Sequence, residues 1–211
     1  MNPPLTKIKL YHPIVETLTN KKIHKYLLSI DPSLNILFNT IDPDSFTGLP
    51  KPPYVSLIGA VIGQIIRYSH AKSVRSKLYQ TCGNNFDIID INNLSSKQWL
   101  DIGLDINKVE IILRINKHII KNNITLNIDN IEGIKSLKQI KGIGDWTIDT
   151  TILTSFLDWD TFPSGDLFIR NKIKKLYGLT KTPTVKEAKQ LSEKWKPYRS
   201  IVTWYLWRWF E

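Results

Sequence analysis

The sequence predicts an all-α fold. Apolar residues recur at helical spacing along nearly the whole chain, and no stretch alternates convincingly between apolar and polar in the way a half-buried strand requires. The first helix is expected around Leu18, Ile23, Leu27 and Ile30, ending at the breaker Asp31-Pro32. The turn-rich DPDSFTGLPKPP then separates this leader from the rest. YVSLIGAVIGQIIRY, from Tyr54 to Tyr68, is apolar on most sides and predicts a buried helix. A second helix is expected over Ala71 to Tyr79, stopped by Gly83-Asn84-Asn85. Ser95 and Ser96 are N-cap candidates for a short helix over Lys97 to Asp101. Asn107 is a cap candidate for the next, with Val109, Ile112, Leu113, Ile119 and Ile120 on its inner face. NNITLNIDN reads as a linker. Helices are then expected over Ile131 to Ile140, Asp145 to about Leu157, Asp166 to Tyr177 and Thr184 to Trp195, and Pro197 precedes a final one ending in WYLWRWF. The total is about ten helices.

A chain of 211 residues can bury one substantial core, or one core divided between two lobes. Its 29 Lys and Arg against 19 Asp and Glu leave a net charge of +10, which favours a polyanionic partner but equally suits a protein that is merely basic. The single Cys82 excludes an intramolecular disulfide, and there is no cysteine cluster for zinc or an iron–sulfur centre, so a reduced compartment is expected. MNPPLTKIKL lacks the apolar run of a signal peptide, and no uncharged apolar stretch of about 18 residues exists to span a bilayer. The expectation is a soluble intracellular protein. His12, His24, His70 and His118 are scattered without metal-ligand spacing.

Three motifs carry chemistry. The first runs from Leu137 to Thr147, LKQIKGIGDWT: a helix, a Gly-x-Gly turn and a second helix, with Leu137, Ile140 and Ile143 pinning the two helices together. Two glycines let the backbone come close to a ligand while N–H groups at a helix N-terminus point outward, an arrangement that suits a phosphate. Taken alone, the turn fits an ordinary helical hairpin with a glycine C-cap equally well. Twenty residues after Trp146 comes Asp166, in Phe162-Pro163-Ser164-Gly165-Asp166 at the head of another helix. A carboxylate just after a Gly/Pro turn is held rigidly and can serve catalysis; capping the helix is the simpler role. The second motif is Ile58 to Ile66, IGAVIGQII. The third is Trp195-Lys196-Pro197-Tyr198-Arg199-Ser200, with Trp204, Tyr205 and Trp207 following.

Together, hairpin and aspartate resemble the helix-hairpin-helix, Gly/Pro-rich-loop, aspartate superfamily of DNA glycosylases, and their spacing is similar to its 3-methyladenine DNA glycosylase II branch. The likeness runs from about Tyr54 to Trp209, without the β-rich N-terminal domain of larger bacterial members. It implies two helical lobes with a central cleft, one from residues 1–53 and 160–211, the other from 54–159 and holding the hairpin at 134–157. It implies that Asp166 is the catalytic carboxylate, that Trp146 and Trp207 line the base pocket, and that Gly142, Ile143, Gly144, Asp145 and Thr147 meet DNA. Ile65, with Gln64 beside it, matches the wedge that fills the hole left by an extruded nucleotide; the alternative is that both finish a buried helix. Arg67 stands where the family has a small residue. Trp195, Trp204 and Trp209 are expected in the core.

The family's bifunctional members carry a lysine two residues after the second hairpin glycine, where this chain has Trp146. The resemblance therefore implies a monofunctional enzyme that excises alkylated purines such as 3-methyladenine or 7-methylguanine from double-stranded DNA and leaves an abasic site. It implies a monomer with no required cofactor, and a monovalent cation, Na+ or K+, held by the carbonyls of Lys138, Ile140 and Gly142. Two alternatives stay open: another lesion, such as a deaminated base or ethenoadenine, and a non-catalytic hairpin module that only binds DNA.

Overall fold

The computed structural model describes residues 19–41, 50–127, 130–155 and 158–209, and among these there is no β-strand. Leu18, His12, most of the DPDSFTGLPKPP turn and Leu157 lie outside the described residues. The helices are α1 (Lys21–Ile30), α2 (Asn35–Thr40), α3 (Pro53–Gly63), α4 (Tyr68–Cys82), α5 (Ile88–Asn92), α6 (Ser96–Ile102), α7 (Ile106–Lys121), α8 (Ile131–Ser136), α9 (Asp145–Ser155), α10 (Leu167–Leu176), α11 (Val185–Ser192) and α12 (Arg199–Arg208), with short 3-10 turns at Pro32–Leu34, Leu137–Gln139 and Glu193–Trp195. No helix among the described residues is long and apolar enough to cross a membrane. The chain divides into two compact units, Met1–Pro50 with Asp158–Glu211, and Lys51–Leu157.

The unit of residues 51–157 is built around α3. Tyr54, Val55, Leu57, Ile58, Val61 and Ile62 are all buried in one core with Val74 and Leu78 of α4, Ile112 and Ile115 of α7, and Ile148 and Ile152 of α9. A helix that is apolar on every side must be enclosed, and each such side chain contributes roughly 1.5–3 kcal/mol on burial. α3 begins on Pro53, which tolerates the first turn because its missing N–H would have no partner there. It stops at Gly63, five residues before the expected end, because Gln64 turns to extended backbone and Ile65 to a left-handed φ of 50°.

Other boundaries follow from caps. Ser95 caps α6 in a reciprocal box with Gln98, and Gly103 closes it in the left-handed region. Asp105, rather than Asn107, caps α7: its carboxylate accepts from the Asn107 backbone N–H at 2.9 Å. On α7, Val109, Ile112 and Ile119 are buried as expected, but Leu113 and Ile120 are exposed. The buried side instead runs through Ile115 and Asn116, whose amide meets the Tyr54 hydroxyl at 2.7 Å.

The unit made from the chain ends packs α1, α2, α10, α11 and α12 around Leu27, Leu34, Leu37, Ile169, Ile173 and Trp195. α12 is buried from Ser200 through Leu206. Trp195, Trp204 and Trp209 lie in this core as expected.

Candidate functional site

In the unit of chain ends, Asp166 precedes α10 and caps it, its Oδ1 accepting from the Ile169 N–H at 3.1 Å. The other oxygen, Oδ2, accepts from the indole N–H of Trp207 on α12 at 3.2 Å. Capping therefore uses one oxygen, and the residue proposed from sequence for base stacking sits on the second. Asp166 is 8% exposed, so the carboxylate is enclosed without being sealed.

The chain leading to Asp166 is stitched to the start of α12. The Ser200 hydroxyl accepts from Thr161 N–H at 2.9 Å and donates toward the carbonyls of Asp158 and Thr161, at 3.0 and 3.2 Å. The Arg199 guanidinium forms a two-pronged pair with Asp160, at 2.8 and 2.9 Å, and a further bond to Glu193. A planar fork on a carboxylate fixes orientation as well as distance. The Arg-Ser dipeptide of the third motif thus serves to hold the loop that aims Asp166, a role that sequence reasoning had not given it.

In the other unit, the hairpin turn places Gly142 at φ 99°, where a Cβ would also meet the Ile111 side chain at 2.7 Å. Gly144 differs, since a Cβ there would meet nothing within 4 Å. Internal packing demands the first glycine, while the second leaves open space in front of α9. Of the residues expected to meet DNA, Thr147 has a buried side chain: it is 2% exposed, and its hydroxyl accepts from the Gln64 amide, which leaves only its backbone for such a contact. Ile143 is likewise buried as the pin between helices, so only its backbone could face a phosphate. Asp145 is exposed and paired with Lys138, which offsets a negative charge that would otherwise repel one.

The carbonyls expected to hold a cation are partly engaged. That of Ile140 accepts from Ile143 N–H, and that of Gly142 from the Gln64 side-chain amide, both at 2.9 Å. A carbonyl oxygen has two lone pairs, so these donors leave the residues compatible with a monovalent ion.

The two wedge candidates separate. Gln64 Nε2 donates to Gly142 O and to Thr147 Oγ1 at 2.8 Å, so its amide braces α3 against the hairpin. Ile65 stands fully exposed, with its backbone in the left-handed region. It does not finish a buried helix. Trp146, half-buried on α9, brings its ring edge within 3.4 Å of where a Cβ on Gly63 would sit, and Arg75 reaches the same glycine. Arg67 begins α4 with no side-chain cap, a bond that a serine in that place could have made.

No family model matches the chain. It is 26% identical over 197 residues to the alkylbase DNA glycosidase-like protein mag2 of Schizosaccharomyces pombe, covering 89% of this chain and 92% of that one. It is 30% identical over 166 residues to DNA-3-methyladenine glycosylase 1 of the same organism, covering 75% of this chain and 72% of the relative. The solved S. pombe 3-methyladenine DNA glycosylase Mag1, in complex with abasic DNA, superposes with a TM-score of 0.75 at 27% identity, over 89% of this chain and 95% of that one. With the hairpin, the proline-containing loop and the aspartate in place, and with these relatives, the chain belongs to the 3-methyladenine DNA glycosylase family and has its all-α, helix-hairpin-helix fold.

Proposed function

We propose that the protein excises alkylated purines, 3-methyladenine and 7-methylguanine among them, from double-stranded DNA by hydrolysis, leaving an abasic site for base excision repair. The observation that carries this reading is the Asp166 carboxylate, enclosed and held by the Ile169 N–H on one side and the Trp207 indole on the other. Excision breaks the bond from the sugar C1′ to the base. An N-alkylated purine is already cationic, so it departs with the bonding electron pair as a neutral base. The C1′ left behind gains oxocarbenium character, which a fixed carboxylate stabilises. Water then adds to C1′, and its proton passes to Asp166 or to solvent. Trp207, with its N–H committed to the carboxylate, offers an indole face on which a cationic base stacks; Trp146 is assigned to stacking on the resemblance.

The reaction is monofunctional in this reading. The residue two places after Gly144 is Trp146, which has no amine to attack the sugar, and Lys141 precedes the hairpin's first glycine. The exposed turn at Gly144 and the N-terminus of α9 would receive a DNA phosphate, and Ile65 would fill the stack vacated by the damaged nucleotide. A monovalent cation on the Lys138, Ile140 and Gly142 carbonyls would add positive charge beside that phosphate.

The test is a panel of duplexes, each with one lesion, assayed for free base and for abasic sites with and without alkali. Release of 3-methyladenine or 7-methylguanine with strand breaks only after alkali is the expected result. Breaks before alkali would remove the monofunctional assignment, and preferential release from ethenoadenine or deaminated bases would change the substrate. Salt-sensitive binding without release from any lesion would leave a DNA-binding module.

A further inference from the structure

The end of α3 combines two features that folding alone does not favour: a β-branched residue with positive φ, and a large apolar side chain fully exposed at Ile65. A left-handed β-branched residue persists only where its surroundings over-determine it. Here the surroundings come from other helices. α3 has no basic residue in its own last turn, although its final carbonyls form the negative end of the helix dipole, where a cation is stabilising. The Lys108 ammonium, reaching from the first turn of α7, donates to the carbonyls of Ile62 at 2.8 Å and Gln64 at 2.7 Å, the residue on each side of Gly63. Arg75 of α4 donates to the Gly59 carbonyl at 3.2 Å, one turn earlier. The Gln64 side chain is meanwhile fixed to the hairpin. Residue 64 is therefore held at its carbonyl by Lys108 and at its amide by Gly142 and Thr147. Residue 65, next in the chain, has little freedom left.

We infer that Lys108 is a positioning residue for DNA penetration: by clamping the Ile62 and Gln64 carbonyls, it holds Ile65 in the projecting left-handed conformation in which it can enter the base stack. This rests on the base-excision reading for its biological purpose, but the clamp has consequences separable from catalysis. A capping lysine that merely stabilised α3 would, on removal, lower all activities with the folded fraction. A positioning lysine affects only those steps in which a stack must be filled.

The experiment compares wild type, Lys108→Met, which keeps most of the aliphatic stem, Lys108→Arg, which can still donate to two carbonyls, Ile65→Ala and the Lys108→Met/Ile65→Ala double variant. Two readouts are taken on the full-length protein. The first is the fluorescence of 2-aminopurine placed next to a tetrahydrofuran abasic analogue in a duplex, at saturating protein, which reports stack opening without chemistry. The second is the ratio of 7-methylguanine release from duplex to release from single-stranded DNA, where there is no stack to fill. Lys108→Met should bring the fluorescence change down to that of Ile65→Ala and lower the duplex-to-single-strand ratio at least about tenfold, the factor carried by a strained residue released to relax. Lys108→Arg should restore most of both, and the double variant should lose no more than Ile65→Ala alone. Wild-type fluorescence and ratio in Lys108→Met, equal losses on both substrates, additive losses in the double variant, or no stack opening by the wild type would each overturn the inference. Stack opening by the wild type without release of any base would instead remove the base-excision reading and leave the clamp standing.

Discussion

Two aspartates in the unit of chain ends are built alike and finish differently. Asp31 caps the 3-10 turn at Pro32–Leu34 and accepts the Trp195 indole N–H at 2.8 Å; Asp166 caps α10 and accepts the Trp207 indole N–H at 3.2 Å. Each is thus a cap with an indole on its second oxygen. Around Asp31, however, the Tyr177 hydroxyl and the Lys194 ammonium join the indole, the latter at 3.1 Å, and the residue is 3% exposed. Burial pushes its carboxyl up, but the bonds from Tyr177, Trp195 and Lys194, with the lysine's charge, outweigh this and hold it below the ordinary carboxylate range. A carboxylate so surrounded is a fixed part of the core. Asp166 has the longer indole bond and the more accessible side chain, and its loop is tied down from α12, so its geometry is held by the chain on either side of it. The same cap-plus-indole arrangement serves cohesion at Asp31, and at Asp166 it holds the carboxylate to which the proposed reaction assigns the chemistry.

That contrast is open to attack by substitution. The largest expected effect is on Asp166→Asn: asparagine caps a helix as well as aspartate does, so the protein should stay folded while base release falls about 10³-fold or more. Single-turnover release from methylated duplex checks it, and near-normal release would erase the distinction between the two aspartates. Asp31→Asn should do the reverse. It should destabilise the fold by about 2–3 kcal/mol, a figure reduced because Lys194 is partly exposed, and leave turnover per folded molecule unchanged. The sign with pH follows from the lowered carboxyl. Its contribution is complete above the unfolded value of about 3.9 and lost as pH falls through the lower folded value, so denaturant melts below pH 4 should converge for wild type and Asp31→Asn. Divergence toward low pH would contradict this.

The indoles offer a finer test. Trp207→Phe keeps a ring but loses the bond to Asp166 and should slow release about tenfold with little change in melting temperature. Trp195→Phe should lower stability and spare the rate. The smallest effect is on Ser200→Ala, which leaves the buried Thr161 N–H without its acceptor. It should lower stability by about 1 kcal/mol, with a few-fold loss of activity as the loop before Asp166 loosens. Activity loss as large as that of Asp166→Asn would make the loop tether, rather than the carboxylate, the critical element.

How much of this was legible in the sequence depended on how local each signal is. The hairpin, the helix cap at Asp166 and the cap at Ser95 are specified within a few residues of themselves and were readable there, as was the start of a helix at Thr184. Periodicity located α7 but not the edges of its buried face, because Leu113 and Ile120 flank the stripe at helical spacing and only the packing of neighbours decides which side is covered. The end of α3 was missed by five residues for a similar reason: IGQIIRY continues an apolar helical pattern, and what holds the break is a lysine 44 residues away and a hydrogen bond from the Gln64 side-chain amide to the hairpin. Gln64 looked like half of the wedge because sequence places it beside Ile65, whereas its partners, Gly142 and Thr147, are far along the chain. The burial of the Thr147 side chain was hidden for want of the same information.

α12 carries Ser200 and Arg199, which hold the loop, near one end, and Trp207, which holds Asp166, near the other. A ten-residue helix is a rod about 15 Å long that resists bending. When thermal motion rocks such a rod, both of its attachments travel together, and the spacing between loop and carboxylate is left nearly invariant. Displacement of α12 then carries the loop and Asp166 as one body rather than pulling them apart.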